Sequence, residues 1–576
     1  MSQQKFGNQI LVEPQAKSKL TVGIAPKANP LATGRVIIIG ESEGGAPSTV
    51  HWFTDKSGAS DMLRGGNALR AMGFIFNPSP QHDGAPYCGF VRAQTATTAE
   101  HDATSGKIVS KDYGTWVNGI KVKIEDGTTA NSSKITVAYQ DETEVFDDLD
   151  LAVTIQYVGA LASGLLEITA ADHIIGSAGV TASEAVEFDF DFAEVSYNTI
   201  SKVVAAIDAL ADWECSIFNL AQAGIGTLNS TNLNTLAETD GKTAALNLQA
   251  YPHISNYVLD NFSAFVNGEV VTDGTKLTNQ TTYAFLAGGT SPSIDTAAIT
   301  AALTLIEEEN CQIIWIDSET AADHALVTAH CQANQYFRMG FFGLASQTTA
   351  ALAVTSASDG AALMNSAYGA LTACGVDDFA EDGSGVEALA PKWLAAKCAG
   401  LAGGLPVQEP LTYKVFSAQG LQYEFTKTQR EALIRAGAIA PRNKEGVGLI
   451  INQGVNTLQN NINLWDPASA SSPEISLMRS AGQFNKELAV AAELNFIGGT
   501  VGVGRATIIG FVESHCKAKE AEGILAANDS DPDNILPAWE NVAATRLEAG
   551  DGWSVKVSIR LNNPFNFFLI ETVAVL

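Results

Sequence analysis

A chain of 576 residues, 46% hydrophobic and 17% charged, is globular and long enough for three or four domains rather than one core. A formal net charge of −29 repels phosphates and argues against nucleic acid as a partner. No run of about 20 apolar residues exists to cross a membrane, so membrane insertion is not expected. Low charge density, with abundant Ala, Gly, Thr and Asn, leaves a polar but weakly ionic surface that is less costly to bury in an assembly. The seven cysteines (Cys88, Cys215, Cys311, Cys331, Cys374, Cys398 and Cys516) are far apart and form no CxxC, so small buried thiols in a reducing compartment are expected. MSQQKFGNQILVEPQ lacks the apolar centre of a signal peptide, so synthesis in a cytoplasm is expected.

Residues 1–34 read as an extended arm, with short apolar runs broken by Pro14, Pro26 and Pro30. RVIIIG, from Arg35, is a buried strand, ESEGGAPSTV a loop, and ALRAMGFIF a helix stopped by Asn77 and Pro78. From about 105 the texture becomes β-rich. GTWVNGIKVKIEDGTTANSSKITVAYQ predicts two alternating strands around a turn, EFDFDFAEV alternates again, and YNTISKVVAAIDALADW is an amphipathic helix. The acidic DETEVFDDLD between them reads as a solvated strand or loop edge. Residues 105–275 therefore form a β-rich insertion, and 35–104 plus 276–404 an α/β core. After 276, YAFLAGG, CQIIWID and FRMGFFGLAS are strands; DTAAITAALTLIEEEN, ADHALVTAHCQANQ, ALMNSAYGA and PKWLAAKCAGLAGG are helices.

From about 405 an α+β unit begins. TKTQREALIRAGAIAP is a helix that Thr428 can cap, with Glu431 three residues on and Gly437 near its end. PEISLMRSAGQFNKELAVAAELNFIGG and GRATIIGFVESHCKAKEAEG are two more helices. KVSIRLNNPFNFFLIETVAVL closes the chain with a strand alternating apolar residues with Lys556, Ser558 and Arg560, then a second apolar run from Phe565. That ending reads either as a hairpin in the chain's own sheet or as a strand for another copy.

Motifs for chemistry do not converge. GESEG, Gly40 to Gly44, fits G-x-S-x-G after a strand, which would suit an α/β hydrolase, but GGAPSTV follows Ser42 where a nucleophile elbow needs a helix. Glu41 and Glu43 would also oppose an oxyanion. Asp317, His324 and His330 could suggest a metal, but a six-residue spacing puts the two histidines about 120° apart on a helix. Asp529, Asp531, Asp533 and Glu540 occupy positions 1, 3, 5 and 12 of an EF-hand-like loop, but Asn534 replaces its glycine and Pro532 and Pro537 disturb it. GGTVGVG, from Gly498, lacks dinucleotide spacing, and no P-loop motif is present. No catalysis and no cofactor are expected; a surface-layer type assembly protein is the other non-enzymatic alternative.

In order along the chain, GRVIIIGESEGGAP, DKSGASDMLRGGNALRAMGFIFNPSP, GTWVNGIKVKI, PKWLAAKCAGLAGGLPVQEPLTYK, REALIRAGAIAPRNKEGVGLIINQGVNTL, ELNFIGG, RATIIGF and NNPFNFFLIETVAV resemble segments of contractile bacteriophage tail sheath proteins, relatives of pyocin and type VI secretion sheaths. One departure is LWDPASASSPEISLMRS, with only Arg479, where many sheaths carry an aromatic-Gly-x-Arg-Thr stretch and paired arginines.

The resemblance implies a helical homo-oligomer around a tail tube, with baseplate and tail terminator proteins as further partners, in the virion and assembled in the host bacterial cytoplasm. The implied fold is α/β and α+β multidomain: an extended arm (1–34), an α/β sheath core (35–104 plus 276–404) with a mixed sheet, a β-rich outer insertion (105–275) and a C-terminal α+β assembly domain (405–576). It also implies that terminal arms add strands to a neighbour's sheet, which is β-augmentation. Residues 8–24 would link through Ile10, Leu11, Val12, Leu20 and Val22, and residues 565–576 through Phe565, Phe567, Leu569, Val573 and Val575. Val555, Val557 and Ile559 would lie in the host sheet, and Arg479, Lys486, Arg505, Lys517 and Lys519 are the expected tube-facing cations.

Overall fold

The computed structural model describes residues 33–93, 95–180, 182–218, 221–229, 232–333, 337–381, 383–458, 474–497, 503–528, 535–548 and 552–564, with the backbone of 4–6 and 9–11. The chain divides into two compact units: Met1–Ile38 with Ala71–Gly89 and Glu307–Leu576, and Ile39–Arg70 with Phe90–Ile306. By contact, residues 39–70, 90–104 and 276–306 group with the β-rich part.

The first unit is strand–helix alternation. Its strands lie in the order Gly369–Thr372, Met339–Gly343, Ile313–Ile316, Arg35–Gly40 and Tyr87–Arg92. Ile313 pairs with Met339, and Gly340 with Gly369, in parallel register. Ile313–Ile316 and Met339–Gly343 are buried along their whole length, which is why they read as continuous apolar runs without alternation. The Pro391–Gly404 helix starts with proline in its first turn, where a missing N–H is harmless, and is buried on all sides.

Two sequence expectations are corrected here. ALMNSAYGA is mostly not helical. The helix is Ala350–Met364, capped by Thr349, whose hydroxyl accepts from the Leu352 amide. It ends at Asn365, left-handed at φ 34°, and Gly369–Thr372 is a strand. Asn tolerates that conformation and so stops a helix as glycine does. The Lys427–Ala436 helix is capped by Thr426, not Thr428; Thr426 and Gln429 form a reciprocal capping box, and Gly437 closes the other end at φ 85°. Both threonines had an acceptable partner three residues on, but Thr426 has the extended backbone that a cap requires.

Further along, Pro441–Lys444 pairs with Gly448–Ile451, and the long helices Ile475–Phe496 and Arg505–Ala521 follow. A small separate core forms from both helices and the turn after them, with Phe484, Phe511, Val512, Cys516, Ile524 and Leu525 at its centre.

The second unit is built on antiparallel sheets with one core that includes Val122, Ile124, Ile135, Val137, Ile155 and Trp213. Lys121–Asp126 and Ser133–Tyr139 are the two strands expected around the Gly/Thr/Asn/Ser turn. The acidic Glu142–Leu149 strand lies at the edge of their sheet with mostly exposed side chains. All seven cysteines are free, and six are buried. Among the described residues, no helix is long and apolar enough to cross a membrane.

The central helix sets a packing test. A Cβ at Gly404 would meet the Asp83 carbonyl oxygen at 1.9 Å, whereas nothing lies within 4 Å of one at Gly510, inside the Arg505–Ala521 helix. Gly404→Ala should therefore destabilise the folded chain by about 1–3 kcal/mol. Gly510→Ala should stabilise it by up to about 1 kcal/mol through helix propensity. Urea unfolding of both variants checks the sign of each; equal shifts would refute the close packing of the helix end.

Candidate assembly interface

The residues that suggested chemistry are engaged structurally. Ser42 is buried, and its hydroxyl donates to the Gly44 carbonyl at 2.6 Å. The loop around it wraps the Arg92 guanidinium, which donates to the carbonyls of Gly45 (2.7 Å) and Ser42 (2.8 Å) and to Ser291 Oγ (2.9 Å). Glu41 accepts from the Ile294 amide at 3.0 Å. Val50–Phe53, a strand and not a helix, follows the loop, so no elbow forms at Ser42.

Asp317 is ion-paired with Lys392 at 2.9 Å. His324 is buried, its Nε2 donates to the Ser318 carbonyl at 2.8 Å, and its ring stacks on Phe342 at 4.9 Å. His330 Nε2 meets the Arg338 guanidinium at 2.8 Å. Glu540 accepts from Arg560 at 2.8 Å, while Asp529, Asp531 and Asp533 lie outside the described residues. No group of three or more His, Cys, Asp or Glu able to hold a metal occurs among the described residues.

A different feature stands out in the C-terminal part. Trp539–Arg546 and Trp553–Ile559 pair antiparallel, from Trp539 opposite Ile559 to Arg546 opposite Trp553. They form a sheet of two strands only, so among the described residues each strand has an unpaired edge. An open edge of this kind is a template for another strand. The expected alternation holds in part: Val557 and Ile559 pack on the small helical core, while Ser554, Lys556 and Ser558 are exposed. Val555 is 38% exposed. Two cavities lie along this face, between the strand and the helices. One of about 410 Å³ is lined by Leu488, Phe496, Phe511, Trp553 and Val555; one of about 690 Å³ by Leu477, Phe484, Val557, Ile559 and Leu561. Beyond the hairpin, the chain is pinned: Arg560 N donates to the Ala538 carbonyl at 2.8 Å and Asn562 N to that of Ile524 at 3.0 Å. The exit toward Pro564 is thus held in place.

At the other terminus, Gln4–Phe6 and Gln9–Leu11 pair antiparallel, which places Ile10 and Leu11 on a short strand. Val12, Leu20, Val22, Phe565, Phe567, Leu569, Val573 and Val575 lie outside the described residues.

The five expected tube-facing cations divide into two sets. Arg505 and Lys517 are exposed. Lys519 is buried and ion-paired with Glu487 and, at 2.6 Å, with Glu522. Lys486 donates to Asn310 Oδ1 at 2.6 Å, and Arg479 to the Leu405 carbonyl at 3.1 Å. A relay that sequence reading missed runs beside them. The Gly34 amide donates to Gln312 Oε1 (2.6 Å), Gln312 Nε2 donates to Gln483 Oε1 (2.6 Å), and Gln483 donates to Glu487. Nothing in the sequence pairs residues so far apart; only the polar Gln483 inside an apolar helical stretch hinted at a partner.

The histidines give a pH test. Burial, only partly offset by the Ser318 carbonyl, holds His324 down at about 4; burial and the neighbouring Arg338 do the same for His330. Below the ordinary histidine value near 6.5, the unfolded chain binds protons that these rings refuse until about pH 4. Stability should therefore fall as pH drops through that window, by up to about 3 kcal/mol for His324. His324→Gln, which can keep the bond to Ser318, should flatten the fall by up to one proton. Urea titrations across the window measure this, and an unchanged slope in the variant would contradict the assignment.

No family model matches the chain. The tail sheath protein of Bacillus phage SP01 is 25% identical over 509 residues, spanning 86% of this chain and 85% of that protein. Among solved structures, the sheath tail protein from Desulfitobacterium hafniense matches with a TM-score of 0.51 at 13% identity over 93% of both chains. That from Listeria innocua matches at 0.53 and 12% over 92% of both. The mixed α/β fold of this chain is therefore the fold of those sheath tail proteins, and by sequence the chain is a relative of phage tail sheath proteins over most of its length.

Proposed function

We propose that this chain is a structural, non-enzymatic subunit of a contractile phage tail sheath, carried in the virion and assembled in the host bacterial cytoplasm. The observation that carries the reading is the Trp539–Arg546/Trp553–Ile559 hairpin, a two-stranded sheet with open edges and a pinned exit leading directly into the apolar run 565–576. A two-stranded sheet is marginal alone, and added strands would complete it.

In the proposed assembly, residues 565–576 of one neighbour and 8–24 of another extend this sheet. Main-chain hydrogen bonds hold the copies, and alternating side chains enter the grooves beneath Val555, Val557 and Ile559. A head-to-tail contact of this kind does not close on itself and propagates as a helical tube. The 105–275 region decorates the outside. The tail tube runs inside, with baseplate and tail terminator proteins at the ends. Arg505 and Lys517 offer exposed charge for weak tube contacts that can break; Arg479, Lys486 and Lys519 support that surface from within. Contraction needs no nucleotide: subunits stacked in an extended, kinetically trapped lattice rearrange to a wider and shorter one, while the strand links keep neighbours joined. The released free energy drives the tube through the host envelope.

Negative-stain electron microscopy of concentrated protein tests the reading. Full-length chain should form hollow cylinders of uniform width. A chain ending at Pro564 should stay as dispersed, soluble subunits. Cylinders from the truncated chain would refute strand exchange through 565–576. Failure of the full-length chain to form them at any concentration would refute the sheath reading itself.

A further inference from the structure

Within the first unit, a small cavity lies between the Ile475–Phe496 helix and the start of the Met339–Gly343 strand. Its volume is about 20 Å³, room for one occupant the size of a water molecule. Arg338, Arg479 and Lys486 all line it, with Gln312, Gln483 and Tyr368, and among the described residues its lining holds no carboxylate.

Two of these cations, Arg479 and Lys486, are poorly compensated. Arg479 Nη1 is buried and has no hydrogen-bond partner, while Nη2 donates only to the neutral Leu405 carbonyl. Glu409 acts on Arg479 from a distance but is itself ion-paired with Lys414. Lys486 donates to an amide oxygen, that of Asn310. Arg338, 2% exposed, is engaged by its own neighbours: it donates to the carbonyls of Glu307 (3.1 Å) and Glu309 (2.6 Å) and meets His330 Nε2 at 2.8 Å. The glutamine oxygens beside the cavity each already accept one hydrogen bond, Gln312 Oε1 from the Gly34 amide and Gln483 Oε1 from Gln312. Burial and the nearby Arg338 and Arg35 lower the Lys486 pKa, and burial takes that of Arg479 down to about 10.

We propose that this cavity binds a small monovalent inorganic anion, with chloride of the size it admits. A buried cation without a counter-charge is costly, and an anion here answers two side chains of one helix at once. A water would fill the space but not the charge. The bound ion ties Arg479 and Lys486 of the long helix to the start of the Met339–Gly343 strand in the central sheet, and so fixes the C-terminal helices to the core.

Unfolding of the full-length protein, held too dilute to polymerise, is measured in sodium chloride, sodium bromide and sodium gluconate at constant ionic strength. Chloride and bromide should stabilise saturably, and the bulky gluconate should not. Arg479→Gln should need at least about tenfold more chloride for the same shift. Arg435→Gln, an exposed control, should behave as the parent chain. Equal stability in chloride and gluconate, or an unchanged chloride midpoint in Arg479→Gln, would overturn the site. If Arg479→Gln does not fold, chloride NMR line-broadening decides: excess broadening by the parent chain, reduced in Lys486→Gln, supports the site, and no excess broadening overturns it.

Discussion

The first unit depends on one helix that has no solvent face. Of the 14 residues of Pro391–Gly404, 12 are buried, so the helix can exist only if the surrounding backbone comes very close to it. Glycine makes that possible on several sides. A Cβ at Gly400 would meet the Ile75 carbonyl oxygen at 2.4 Å, and one at Gly343 would meet the Lys392 amide at 2.0 Å. Two lysines within this helix would be costly there unless paired, and both are. Lys392 faces Asp317, and Lys397 faces Asp378 at 2.7 Å with its ammonium 3.9 Å from the Phe74 ring centroid. The sheet strands around the helix are accordingly short, apolar and without alternation.

The C-terminal part obeys a different rule. Its core is small, and its last hairpin leaves apolar side chains half covered over two grooves. A domain that finished its own packing would have no reason to keep an open strand edge beside a hydrophobic channel. Incomplete packing here goes with a fixed exit for the chain, so the unfinished surface is presented in a defined orientation.

Periodicity made much of this readable. The buried Arg35–Gly40 strand, the Pro391–Gly404 helix, the paired C-terminal helices and the alternating face of Trp553–Ile559 follow from residue order alone, because each is decided by local spacing of apolar side chains. Local choices between near-equal options were not readable. Thr426 and Thr428 differ as caps only in backbone conformation, and ALMNSAYGA turns at an asparagine, a residue that can end a helix but is also found inside one. The direction of charge was hidden too. Lys519 looks like any surface lysine at the end of a helix until Glu487, on a different helix, is seen to hold it. The Gln312–Gln483 contact likewise depends on tertiary neighbours and leaves almost no mark on the sequence.

Gly34 connects these themes. It is left-handed at φ 81°, and a Cβ there would meet the Gly403 carbonyl oxygen at 2.1 Å, so it is wedged against the buried helix while its amide is held by Gln312. In mechanical terms Gly34 is an anchorage: a load applied there would not be spent peeling one strand from a sheet. It is divided between the helix at the centre of the core and the Gln312–Gln483–Glu487–Lys519 line that reaches the C-terminal helices. A pull at one end of the chain is thereby felt at the elements that carry its other end.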